Sequence, residues 1–222
     1  MKNLARLSIM SVLALSVAFL SNGYAQETTV TSDISGFNRI DLSTSADLKV
    51  TIGHGYSITM TGDRKRIEKL KLDLSGDELE ITSKSRFGGF WGRNNDGYVN
   101  IAITMPDIEK MEINGSGDAE IIGIDNEEIS LNINGSGDLY VTGISESVEI
   151  EINGSGDVEM YQVSAKEIIV EINGSGNVEF NDGTCDRMEI EIEGSGDIDA
   201  KDLICKEVSI EISGSGNSRV HA

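Results

Sequence analysis

The chain has 222 residues, with 38 acidic against 18 basic side chains, a formal net charge of −20, 25 glycines, one proline, two cysteines and two histidines. Its length suits one domain with a sizeable core. The acidic balance excludes nucleic acid and anionic lipid as the main partner, since both need a basic footprint, and the few cysteines and histidines leave little material for a zinc site.

The first 25 residues read as a signal peptide. Lys2 and Arg6 form a positive start, Leu7 to Leu20 an apolar run, and Gly23-Tyr24-Ala25 supplies small residues for cleavage before Gln26. The run is too short for a membrane span, and no cysteine follows the cut to carry a lipid anchor. The mature chain, 26–222, is therefore expected outside the cytoplasm: periplasmic, on the cell surface or secreted. Such a compartment permits a disulfide.

Residues 26–106 are nearly neutral, with ten basic and eleven acidic residues. Short alternations at Ile40 to Val50 and at Leu72 to Asp77 read as irregular coils, with the start of the chain as a cap. Arg64, Lys65, Arg66, Lys69 and Lys71 read as a solvated turn. Ser85 to Arg93 holds the only tryptophan. Its Phe87, Phe90, Trp91 and Arg93, interleaved with glycine, suit either a contact with a protein or glycan or a cover for the end of the fold.

From Asp107 to Ala222 there are six basic and 27 acidic residues, and a repeat dominates. Gly-Ser-Gly begins at Gly115, Gly135, Gly154, Gly174, Gly194 and Gly214, with spacings of 20, 19, 20, 20 and 20 residues. Before it run alternating strands such as Val148-Glu149-Ile150-Glu151-Ile152, apolar on one face and acidic on the other. The period excludes helical repeats, leucine-rich repeats and the nine-residue calcium roll. The expected fold is all-β: a parallel β-helix with coils of about 20 residues stacked about 4.8 Å apart. A lone proline, Pro106, suits such a ladder, because each proline removes a donor.

Stacking turns repeat positions into columns. Asn114, Asn134, Asn153 and Asn173 precede Gly-Ser-Gly. They match a glycosylation sequon, but a turn needs the same residues, with glycine at positive φ. Asp118, Asp138, Asp157, Asn177 and Asp197 follow, read as a structural ladder accepting backbone N–H bonds within each turn. A row of calcium sites is the weaker alternative, since one carboxylate per coil supplies few of the six to eight oxygens calcium takes; no metal and no cofactor is expected. Cys185 and Cys205 share one repeat position, so adjacent coils bring them into disulfide range. Parallel strands aim both side chains the same way, which leaves a strained disulfide and two stacked thiols as alternatives.

Gly36-Phe37-Asn38-Arg39-Ile40-Asp41-Leu42, Ala46-Asp47-Leu48-Lys49-Val50, Ile101 to Pro106 and the repeated Ile-Asn-Gly-Ser-Gly-Asp together resemble the head GIN domain family of auto-transporter adhesins. The resemblance implies a right-handed β-helix like that of pectin lyases without their catalytic residues, and a role in adhesion. No binding residues carry over with it, and no translocator barrel is present in the sequence. The last coil stops nine residues in, at Ala222, so either the chain is truncated or this coil pairs with another molecule; a homo-oligomer through the terminal coil is one expectation. An enzyme would interrupt the ladder with a local cluster of Asp, Lys, Arg or His, whereas these columns are monotonous. The expected function is an exported non-catalytic binding protein, and the alternative is a periplasmic scaffold that self-assembles through its coil edge.

Overall fold

The computed structural model describes residues 27–84 and 98–221; the proposed signal peptide and the aromatic segment with Phe87, Phe90, Trp91 and Arg93 lie outside these residues. In chain order the strands are β1 (Glu27–Ser32), β2 (Arg39–Ser43), β3 (Asp47–Ile52), β4 (Ser57–Asp63), β5 (Leu70–Ser75), β6 (Glu78–Ser83), β7 (Val99–Met105) and β8 (Lys110–Ile113). They continue as β9 (Ala119–Ile133), β10 (Leu139–Ile152), β11 (Val158–Tyr161), β12 (Val163–Ile172), β13 (Val178–Phe180), β14 (Gly183–Ile192), β15 (Ile198–Ile212) and β16 (Ser218–His221). One short helix, α1 (Arg64–Ile67), joins β4 to β5.

From β8 onward the chain is a parallel β-solenoid in which each coil pairs with the next. Its alternating sequence puts every second side chain inside, so equivalent residues stack into columns. Ile129, Val148, Ile168 and Met188 form one such column, and Leu131, Ile150, Val170 and Ile190 the next. All eight are at most 1% exposed. Full burial of one such side chain contributes about 1.5–3 kcal/mol. The single 19-residue spacing is absorbed at the bend: Thr142 faces Ile122 but Gly143 faces Ile124, which leaves Gly123 bulged at φ 85°.

The Gly-Ser-Gly glycines are needed for a reason other than the expected one. None has a positive φ among the described residues. Instead, a Cβ on Gly135, Gly154, Gly174, Gly194 or Gly214 would run into the carbonyl oxygen of its counterpart in the coil before it. The turns stack so closely that backbone lies on backbone, and only hydrogen fits between them.

The aspartate ladder also differs from its expectation. Each side chain bonds not within its own turn but to the next coil: Asp138 N donates to Asp118 Oδ1 at 2.9 Å, Asp157 N to Asp138 Oδ1 at 2.9 Å, and Asn177 N to Asp157 Oδ1 at 2.7 Å. Asp197 N then donates to Asn177 Oδ1, and Asn217 N to Asp197 Oδ1. A backbone donor on every carboxylate offsets the repulsion along the column. Asparagines run a parallel ladder of side-chain amides, Asn134 to Asn114, Asn153 to Asn134 and Asn173 to Asn153, at 3.0–3.1 Å. Cys185 and Cys205 face each other across β14 and β15 with Cα atoms 4.4 Å apart, joined as a disulfide.

The N-terminal part stacks out of sequence order. β2 pairs with β6 on one side and β8 on the other, and β3 lies between β7 and β9, so the β2–β3 coil is internal. Residues 72–77, expected as a coil, belong instead to an antiparallel hairpin of β5 and β6. The start of the chain does not cap alone: β4 closes antiparallel on β7, and β1 on β4. The basic run is not a turn but contains α1, whose N-cap Asp63 accepts from Arg66 N and whose Ile67 is buried. A single buried cluster of apolar side chains runs from Val30 to Cys205.

Candidate functional site

Along the filled part of the solenoid, the surface open to recognition among the described residues is that of the outer columns. One column crosses β3, β9, β10, β11, β13, β15 and β16 as Lys49, Glu120, Tyr140, Glu159, Glu179, Asp199 and Arg219. Cations stand at its two ends and carboxylates between them, with one aromatic interruption. In the adjoining column Tyr161 faces Thr142. Tyr140 and Tyr161 therefore sit diagonally in neighbouring coils, 39% and 38% exposed, with Ile144 exposed at the bend that follows.

Carboxylates surround this aromatic pair. Tyr161 donates from its hydroxyl to Glu159 Oε2 at 2.7 Å, and that bond raises the pKa of its phenol. The Tyr140 phenol is raised first by partial burial and then by Asp138, Glu159, Asp118 and Asp157. Both hydroxyls stay protonated near neutral pH; Tyr161 gives its one proton to Glu159 and can accept, Tyr140 can donate, and both rings offer flat apolar area. Such a surface suits a ligand that stacks and accepts hydrogen bonds, neutral or cationic rather than acidic.

A second outer column, on the longer side of the coil, reads Asp41, Glu112, Asn132, Glu151, Glu171, Glu191 and Glu211. Its two ends differ electrostatically. Burial opposes ionisation of Glu112, yet hydrogen bonds from Lys110, Asn114 and Asn134 hold its pKa below the usual value. Glu171 has only burial and the charges of Glu191, Glu151, Glu149 and Glu193 around it, so its pKa is raised. Beside the well-compensated end lies a polar groove of about 740 Å³, lined among others by Arg39, Asp107, Glu109, Lys110 and Asn126. Asn126 spans its wall, donating to Asp107 Oδ1 and to Ile108 O.

Among the described residues no group of three or more His, Cys, Asp or Glu side chains is placed to hold a metal ion, and no helix is long and apolar enough to cross a membrane. The two tyrosines are not among the residues singled out above from the sequence. Their signal was present as a departure from the repeat, since Tyr140 stands where other coils carry Glu120, Glu159 and Glu179.

Residues 36–159 and 142–222 match the family model described as "Putative auto-transporter adhesin, head GIN domain". A solved "putative adhesin" from Parabacteroides distasonis superposes with a TM-score of 0.78 at 19% identity, over 90% of this chain and 84% of that one. A "putative adhesin" from Parabacteroides merdae gives 0.76 at 19%, over 89% and 82%. A "Putative lipid binding protein" from P. distasonis gives 0.73 at 21%, over 87% and 96%. At these identities the likeness is one of fold. No curated protein matches the chain.

Proposed function

Because the chain belongs to the head GIN domain family, we propose that it is an exported, non-catalytic adhesin-type module that binds a protein or glycan through its outer wall. One observation carries this reading: Tyr140 breaks an otherwise charged column and Tyr161 stands diagonally beside it, so that together they expose aromatic area on a paired sheet. Aromatic side chains lose little conformational entropy on binding, so a rigid platform of this kind favours recognition. The net charge of −20 directs the choice towards neutral or basic partners. A lipid chain would have to lie on the outside, since the interior columns are filled by side chains at most a few per cent exposed.

The test is binding of the purified protein to a panel of glycans and extracellular-matrix proteins, alongside a Tyr140→Ala/Tyr161→Ala variant. Loss of about tenfold or more in affinity, with the thermal transition unchanged, supports the reading. Equal binding by both proteins sinks it. Protease shaving of intact cells tests the location separately. Release of Gly-Ser-Gly peptides while a periplasmic control stays intact fits a surface adhesin; protection until the outer membrane is ruptured favours the periplasmic scaffold instead.

A further inference from the structure

Among the described residues the last coil leaves its interior open. Ile190 and Ile192 are covered by Ile210 and Ile212, but Ile210 and Ile212 are themselves 42% and 40% exposed. Residues 207–212 of β15 pair with β14 on one side and, among the described residues, with no strand on the other. β16 carries the coil one strand further, but mainly on the adjoining side, over residues 198–200. The end of the solenoid is therefore a ledge one strand deep, with 207–212 at its foot and β16 as its step.

Hydrogen bonds just below show which backbone groups point out of this end. Ser213 N donates down to Ile192 O, so by alternation the N–H and C=O of Val208, Ile210 and Ile212 face outward. Ile198 N donates up to Asn217 O, so Ser218 and Val220 face outward as well. Both strands at the ledge thus present pairing groups without a strand partner among the described residues, a condition that native proteins usually cover.

We propose that a second copy of this chain fills the ledge, forming a two-fold dimer in which β16 of each copy pairs antiparallel with residues 207–212 of the other. A two-fold axis through the Ser215 corner exchanges the two sides of the coil, so each step seats on the other's foot. In that register Val220 lies opposite Ile210, Ser218 opposite Ile212, Arg219 opposite Glu211 and His221 opposite Ser209. The outward-facing backbone groups meet as hydrogen-bonded pairs. Inside, Val220 meets Ile210 and Ser218 lies against Ile212; outside, a cation meets the last member of the glutamate column.

Neighbouring registers are poorer. A shift of two residues one way takes Arg219 from Glu211 to Ser209, and the other way takes it to Ser213, so only the proposed register pairs the two charges. Head-to-tail stacking is poorer too. At the opposite end β1 extends the same side of the coil as β16, so β1 on β16 would leave 207–212 uncovered. The ledge therefore closes a dimer rather than growing a filament.

Glu211 and Arg219 form the closer, non-hydrogen-bonded class of antiparallel pair, with Cα atoms about 4.5 Å apart, within disulfide range. The experiment mixes Glu211→Cys protein with Arg219→Cys protein under mild oxidation and reads the covalent dimer on a non-reducing gel, with the linked peptides identified by mass spectrometry. A dimer joined 211 to 219 is expected from the mixture and not from either variant alone. Sedimentation equilibrium of the unaltered protein should show the same dimer. Glu211→Arg or Arg219→Glu should weaken it roughly tenfold, and the two together should restore it. A monomer across the micromolar range overturns the proposal, as does efficient cross-linking of Glu211→Cys protein to itself.

Discussion

Two halves of one solenoid solve the same packing problem in opposite ways. From β8 to β15 each coil lies on the one before it, and sequence order is stacking order. Between β1 and β7 the chain starts at the outer edge, enters the stack at β2 and β3, runs out again to lay down antiparallel β4 and β5, and returns through β6 and β7 to lie against β2 and β3. The regular half repeats one solution and relies on side-chain ladders. Its counterpart uses a different device at each position: a hairpin, a capped turn of helix, and the Phe37–Tyr56 ring contact at 5.1 Å. Repetition lets a single residue type serve a whole column, but it also makes every column intolerant of the same change.

Glycine substitutions should divide the halves most sharply. Gly154→Ala puts a methyl group against the backbone of Gly135 and should cost about 3 kcal/mol or more, or prevent folding. Gly55→Ala, at φ 83° with no atom within 4 Å, meets only backbone strain and should cost about 1 kcal/mol. Denaturant titration of both variants checks the contrast; equal losses would refute close approach as the reason for Gly-Ser-Gly.

Next in size is the disulfide. Replacing Cys185 and Cys205 with alanine should lower stability by about 3 kcal/mol, as for a loop of this length, and reductant should reproduce the loss in the unaltered protein. Asn153→Ala follows. It removes the amide that donates to Asn134 and Glu151 and accepts from Asn173, at about 1–2 kcal/mol. An equal loss from Tyr56→Phe, which removes one hydrogen bond to Phe37 O in the irregular half, would weaken the idea that ladders matter more than single contacts.

The smallest effect is on pH dependence. A raised carboxyl pKa means that the folded state disfavours the charged form. The cost from Glu171 is therefore present above its folded pKa and absent below its unfolded value near 4.5. Glu112, Asp197 and Asp199 are lowered instead, so their contribution is complete above their unfolded values and is lost as pH falls through their folded ones. Acidifying from pH 7 should first relieve the glutamate column and then, below about pH 4, unfold the protein. Glu171→Gln should raise stability at pH 7 by about 0.3 kcal/mol after solvent screening and flatten the first phase. Thermal melts across pH check the order of the two phases.

Trp91 tests the segment for which the sequence suggests a binding role. If Phe87, Phe90, Trp91 and Arg93 join the tyrosines in recognition, Trp91→Ala should weaken partner binding about tenfold without moving the melting transition. Unchanged affinity for every bound glycan and protein would remove that segment from the surface.

The sequence by itself determined the period, the inward columns and the position of the disulfide cysteines. A 20-residue repeat with alternating apolar residues buries one face only if equivalent residues stack, and stacking brings Cys185 beside Cys205. Other features needed the tertiary structure. Asp118 is turn-like in sequence whether its acceptor serves its own coil or the next, and the choice depends on how close the coils lie. Gly154 looks like a residue of positive φ until the carbonyl of Gly135 is seen beneath it. The internal place of β2 and β3 was illegible because Leu72 to Asp77 carries the same alternation as a coil, and alternation records which face is buried but not which strand lies alongside. Tyr140 and Tyr161, 21 residues apart in the chain, became one surface only through the stacking of β10 on β11. A repeat specifies its own neighbours; where it lapses, only the packing of the folded chain decides which strand pairs with which.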